Sequence, residues 1–337
     1  GVYAVPGLRA GRLTFSEFFN GRIDDVVLPP CLKRVTFGKH FNQSLVYVRW
    51  PSTLERVELG CNFNQPVVGV AWPAGLKAIE FGCGFNQSLE GVFWPLYLQE
   101  IVLGQGFDQP VGGVAWPRGL QKLVLGWSFN QPVEGVVWPE GLRGIEFSEM
   151  FDQPIDAVVF PSTVQALQFG QAFDQDVSGV RWPADLASLC FGCQFDQPLE
   201  HARLPAGLRA LEMGCSWDHS LAAVPLPAGL TSLTLGHKFD QPLDDVCWPA
   251  RLARLSLGDT FDRGLEGVQW PRRLESITLG DSFDQPLDRV KWPAELSHLS
   301  LGGAFNQPLD GVEWPAGLSE LLLGDSFGQT LDGVEWP

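Results

Sequence analysis

The chain is 337 residues long, with 38 glycines, 26 prolines, 13 tryptophans, 23 phenylalanines and a formal net charge of −16. That charge argues against a nucleic-acid partner, which needs a basic stripe, and against anionic membrane surfaces. No run of 18 apolar residues is present, so no direct membrane insertion is expected.

Read in order, the chain opens on residues 1–18, where Pro6, Leu8 and Leu13 miss the spacing of everything that follows. This stretch is expected to be an irregular N-terminal coil or a partial cap. Residues 1–60 are also the one basic part, with eight Lys/Arg against five Asp/Glu, which leaves −19 for the remainder. From Phe19 onward an aromatic mark recurs every 22 residues, through Phe41, Phe63, Phe85, Phe107, Phe129, Phe151, Phe173 and Phe195. Trp217 takes the next place, and Phe239, Phe261, Phe283, Phe305 and Phe327 complete the series. Fifteen marks without an insertion predict one repeat array over 1–337, whereas length alone suggests two globular domains.

Leu296–Pro315 serves as the sample coil, with Leu296 as slot 1 and Pro315 as slot 20. Slots 1, 4 and 6 (Leu296, Leu299, Leu301) are apolar and slots 3 and 5 mixed, the alternation of a short strand with one buried face. Glycine in slot 7 is expected to end the strand with a positive φ. Asn or Asp in slot 11 is expected to satisfy backbone groups of the turn, and Gln in slot 12 to form a rung-to-rung amide ladder. Proline in slot 20 excludes an uninterrupted second strand there. Each coil is thus one strand, a glycine turn and an extended return.

The pattern Leu-x-x-Leu-x-Leu/Phe-Gly followed by Phe41-Asn42, Phe63-Asn64-Gln65-Pro66, Phe129-Asn130-Gln131-Pro132 and Phe305-Asn306-Gln307-Pro308 resembles the FNIP repeat, a 22-residue relative of leucine-rich repeats. The likeness runs along essentially the whole chain, with Gln in place of Ile within the motif and Trp-Pro where Leu-Pro is commoner. It implies a β-rich solenoid: a leucine-rich-repeat-like, right-handed coil of about 15 rungs with one parallel sheet and little helix. It also implies a repeat array for protein interaction and carries no catalytic residue across.

Chemistry is sparse. Cys61 and Cys83 share slot 8 of adjacent coils, as do Cys193 and Cys215, so either pair is within reach of a disulfide. Cys190, Cys193, Cys215 and His237 form a Cys₃His set of zinc type, but across two rungs it converges poorly, and free thiols are the plainer reading. No metal or cofactor is expected. The acids of slot 15 (Asp244, Glu266, Asp288, Asp310 and Asp332 in succession) read first as a solvated edge, then as a surface for cations or basic proteins. The slot-19 tryptophans interchange with Leu28, Phe160, Leu204 and Leu226, as a core column does; the alternative is an adhesive or carbohydrate-binding ridge. Asn42 and Asn86 fit a glycosylation pattern but lie in the slot-11 turn.

The variable slots 3 and 5 are the default protein-binding, concave face: Arg34, Arg56, Glu58, Glu80, Glu100, Val102, Lys122, Val124 and Glu146, with Trp127 at slot 8. Val102, Val124 and Trp127 make an apolar island there. The function expected is a non-catalytic interaction or structural scaffold, a subunit or docking module whose partner is another protein. The open end at Trp336-Pro337 and the basic start also suggest end-to-end contacts through uncapped termini.

Overall fold

The structure, a computed structural model, describes residues 11–337, so the first ten residues of the expected N-terminal cap lie outside it. Two compact units divide the chain, Gly1–Gly170 and Gln171–Pro337. The first contains strands Arg12–Thr14 (β1), Arg34–Thr36 (β2), Arg56–Glu58 (β3), Ala78–Glu80 (β4), Glu100–Val102 (β5), Lys122–Val124 (β6), Gly144–Glu146 (β7) and Ala166–Gln168 (β8). The second contains Ser188–Cys190 (β9), Ala210–Glu212 (β10), Ser232–Thr234 (β11), Arg254–Ser256 (β12), Ser276–Thr278 (β13), His298–Ser300 (β14) and Glu320–Leu322 (β15).

Within each unit every strand pairs in parallel with its sequence neighbour, at a constant offset of one repeat, as in Val35↔Val57 and Leu255↔Ile277. The pairing begins with Arg12↔Arg34 in the same register as the rest. Both units are β-solenoids with one strand per coil, and no helix occurs among the described residues. Three tight turns close each coil. Phe41 N–H donates to Gly38 O, Val48 N–H to Leu45 O and Leu54 N–H to Pro51 O, each at 3.1 Å. Backbone groups that no strand reaches are thereby paired locally.

The alternation in the sequence is borne out as burial. In the sample coil Leu296, Leu299, Leu301, Phe305, Leu309 and Val312 are all 4% exposed or less. Each buried aliphatic contributes about 1.5–3 kcal/mol. The aromatic column is deeper still: Phe63 to Phe151 are fully buried, and consecutive rings from Phe63 to Phe151 stack at 6.1–6.2 Å.

Two sequence expectations are corrected. Slot-7 glycine does not take a positive φ; that conformation falls at slot 16, in Gly69, Gly91, Gly135, Gly267, Gly311 and Gly333. Slot 7 needs glycine because successive coils touch there: a Cβ on Gly126 or Gly280 would lie 1.7 Å from the carbonyl oxygen of Gly104 or Gly258. Nor do the slot-12 glutamines bond one another. Asn64 Oδ1 accepts the Asn86 N–H at 2.9 Å and the Gln87 Nε2 at 3.0 Å, both from the following coil, and this scheme recurs along the chain. Only an acceptor oxygen is required, which is why Asp108 and Asp262 serve as well as Asn64. Two exceptions at slot 12 bond the backbone of the preceding coil: His219 bonds Asp196 O at 2.8 Å, and Arg263 donates to Asp240 O at 2.9 Å.

Candidate interaction surface

A three-residue strand buries its middle side chain and turns its two outer ones away from the core, so slots 3 and 5 line the sheet's free face. In unit 1 that face is an ion-pair network. Arg56 contacts Glu58 at 2.8 Å, Glu100 at 3.1 Å and Glu80 at 3.2 Å, while Arg34 lies 3.7 Å from Glu58. Lys122 pairs with Glu146 at 2.7 Å. Seven of the residues expected on a binding face are therefore already partnered. Partial burial alone would raise the Glu58 carboxyl. Hydrogen bonds from Thr36 and Arg56 and the nearby Arg34 charge outweigh it and hold Glu58 below the usual glutamate range.

Val102 and Val124 are register partners on β5 and β6 and half-buried. Trp127 stands on the following turn, half exposed, and its carbonyl accepts the N–H of Met150, whose side chain is half exposed too. Sequence reasoning missed Met150, although its place one slot before the phenylalanine column marked it as a turn residue.

It also missed the return segment. In slot 18 of unit 1, Phe93, Val137 and Val159 are 84%, 78% and 79% exposed. Two clefts run beside the two valines, one of about 950 Å³ reaching Gly113, Trp116 and Val137, the other of about 520 Å³ reaching Val137, Trp138 and Val159. The signal was present: Phe, Val and Val stand where Arg181, Arg203, Lys291 and Glu313 stand in unit 2.

The tryptophan column is partly core. Trp72, Trp116 and Trp138 are buried, others half-buried, and Trp336 half exposed. Neighbours such as Trp116–Trp138 and Trp270–Trp292 stack at 6.4 Å. Ten of these indole Nε1 atoms are buried with no hydrogen-bond partner in the protein, whereas Trp217, in the phenylalanine column, donates to Gln197 O at 3.0 Å. A slot that leaves the N–H unpaired rewards only apolar volume, in keeping with Leu and Phe at the same place.

Cys193 and Cys215 are joined as a disulfide, with Cα atoms 4.2 Å apart; Cys61 and Cys83 are free thiols with sulfurs 3.0 Å apart. Burial first, and then Glu212, push the Cys190 thiol up to about 12. His237 pairs with Asp259 at 2.7 Å, so the Cys₃His set is not assembled. Among the described residues no three metal-ligating side chains converge. Asn42 and Asn86 are occupied in the inter-coil scheme, each Oδ1 accepting from the next coil. The acids Asp244, Glu266, Asp288, Asp310 and Asp332 are all exposed.

Residues 129–172 match the FNIP Repeat model. Over 95% of its length, this chain is similar to CroV588, described as a novel circular leucine-rich-repeat protein, with 31% identity and a TM-score of 0.74. It spans 54% of that protein, about half its length. An internalin from Listeria monocytogenes is similar over 80% of this chain and 74% of its own, with 14% identity and a TM-score of 0.47. No curated protein matches the sequence.

Proposed function

We propose that this chain is a non-catalytic docking module that holds a partner protein against unit 1. Leucine-rich-repeat-like solenoids serve in general as protein-interaction scaffolds, and repeat folds of this kind are generally non-catalytic. The observation that carries the reading is where apolar surface is left uncovered. Among the described residues, twelve large hydrophobic side chains are exposed in unit 1, against three in unit 2, all between Leu322 and Trp336. Exposed apolar side chains gathered on one part of a well-packed protein mark interaction sites. The stacking of the tryptophans on one another supports this reading over a sugar-binding ridge.

Photo-crosslinking tests it. A crosslinker at Val102, Val124 or Val137 is expected to capture one recurrent partner protein, and one at Arg254 or His298 none. Equal capture from both units, or loss of capture only when a catalytic assay on that partner changes, would overturn the assignment.

A further inference from the structure

The strongest unassigned feature is a cleft of about 550 Å³ beside the first four strands, lined by Arg12, Lys33, Arg34, Glu55, Arg56 and Lys77. Five cations and one carboxylate meet there, on a protein whose net charge is −16. Arg12, Arg34 and Arg56 are direct register partners on β1, β2 and β3, and like charges placed opposite one another on a sheet are unfavourable. Internal acids offset only part of this. Arg56 is taken up by Glu58, Glu80 and Glu100, and the single Glu55 serves both Lys77 at 2.9 Å and Lys33 at 3.3 Å. Arg12 is exposed and makes no ion pair among the described residues, while Lys33 and Lys77 keep more than half of their side-chain surface in solvent.

The complementary surface is on the chain itself. Residues 171–337 hold 24 acids and 11 bases, net −13, whereas residues 1–170 hold 15 and 12, net −3. Asp244, Glu266, Asp288, Asp310 and Asp332 occupy one slot of five successive coils, all exposed, with only Arg289 bridging Glu266 at 3.6 Å and Asp288 at 3.8 Å. Each of the two surfaces repels itself, and each is relieved by the other.

We propose that the cleft of one molecule docks the acidic slot-15 column of a second copy. The inference rests on the scaffold reading and names a partner for it. Contacts between exposed charges fade as the Debye length falls from about 30 Å at 0.01 M salt to about 3 Å at 1 M. The test is sedimentation velocity of the full chain at 20 mM and 500 mM salt, with two triple variants. One reverses the cleft (Arg12→Glu, Arg34→Glu, Lys77→Glu) and the other the column (Glu266→Lys, Asp288→Lys, Asp310→Lys). Wild type is expected to associate at low salt and dissociate at high salt, and each variant alone to stay monomeric. An equimolar mixture of the two variants is expected to associate again, which also shows that both are folded. A monomeric wild type at low salt, association that survives cleft reversal, or a mixture that stays monomeric overturns the proposal. Binding of an acidic peptide by a chain that never self-associates does so too. None of those outcomes touches capture of a partner at Val102, Val124 or Val137, so the two readings fail separately.

Discussion

In unit 1 the position before the tryptophan column holds Val27, Phe93, Val137 and Val159, each at least 70% exposed, beside Arg49, Ala71 and Ala115. In unit 2 the same position holds Arg181, Arg203, Pro225, Cys247, Gln269, Lys291, Glu313 and Glu335, with no large apolar side chain among them. The columns beneath are indistinguishable: Phe63 and Phe283 are both fully buried, as are Leu76 and Leu296. Stacking on a neighbour fixes what a buried slot accepts, because a gap or an overlap is felt by the coils on either side. The solvent-facing slots carry no such demand, so their divergence between the units is the part of the molecule free to encode a partner.

The comparison breaks most sharply at the tryptophans. Trp138→Ala should lower the unfolding free energy by about 3–5 kcal/mol and the less buried Trp292→Ala by about 2 kcal/mol, measured by denaturant titration. Trp138→Phe, which removes the unpartnered N–H and keeps the volume, should stay within about 1.5 kcal/mol. A larger loss would mean that the indole N–H has a partner after all. At slot 7 the units should respond alike. Gly126→Ala and Gly280→Ala are each expected to cost about 3 kcal/mol, since overpacking against a carbonyl has no side chain to yield. Gly311→Ala, at φ +80° in open space, should cost about 1–2 kcal/mol.

Reductant should separate the units. Opening Cys193–Cys215, which closes a loop of 22 residues, should remove about 3 kcal/mol in unit 2, and Cys61→Ser in unit 1 should be insensitive to reductant. Mass spectrometry of alkylated chain checks the pairing directly: Cys61 and Cys83 labelled, Cys193 and Cys215 protected. The smallest effect concerns pH. Because Glu58 titrates below its ordinary value when folded, its contribution is present at neutral pH and lost as pH falls through that depressed value. Glu58→Gln should therefore cost about 1 kcal/mol at pH 7 and nothing in strong acid, while Asp310→Asn, on the exposed column of unit 2, should change stability by less than about 0.5 kcal/mol at either pH.

Much of this was legible beforehand for a physical reason. A side chain repeated at one spacing must meet its own copy in the next coil, so period alone places Phe41, Phe63 and Phe85 in one buried column. The candidate surface was half legible. Arg56, Glu58, Glu80 and Glu100 stood in the right slots, yet their mutual pairing depends on reach across two rungs, which spacing does not report. Phe93 and Val137 were passed over because apolar residues in a repeat invite assignment to the core, and only the path of the return segment turns them outward.

Sequence by itself determined the repeat, the strand at its head and the identity of the buried columns, since burial of apolar side chains at a fixed period admits one stacked solution. Tertiary structure alone decided why slot 7 is glycine, where positive φ falls, what the Asn and Gln side chains hold, and which cysteine pair is closed. Those outcomes depend on how near one coil comes to the next, a distance of a few ångströms that no single coil contains.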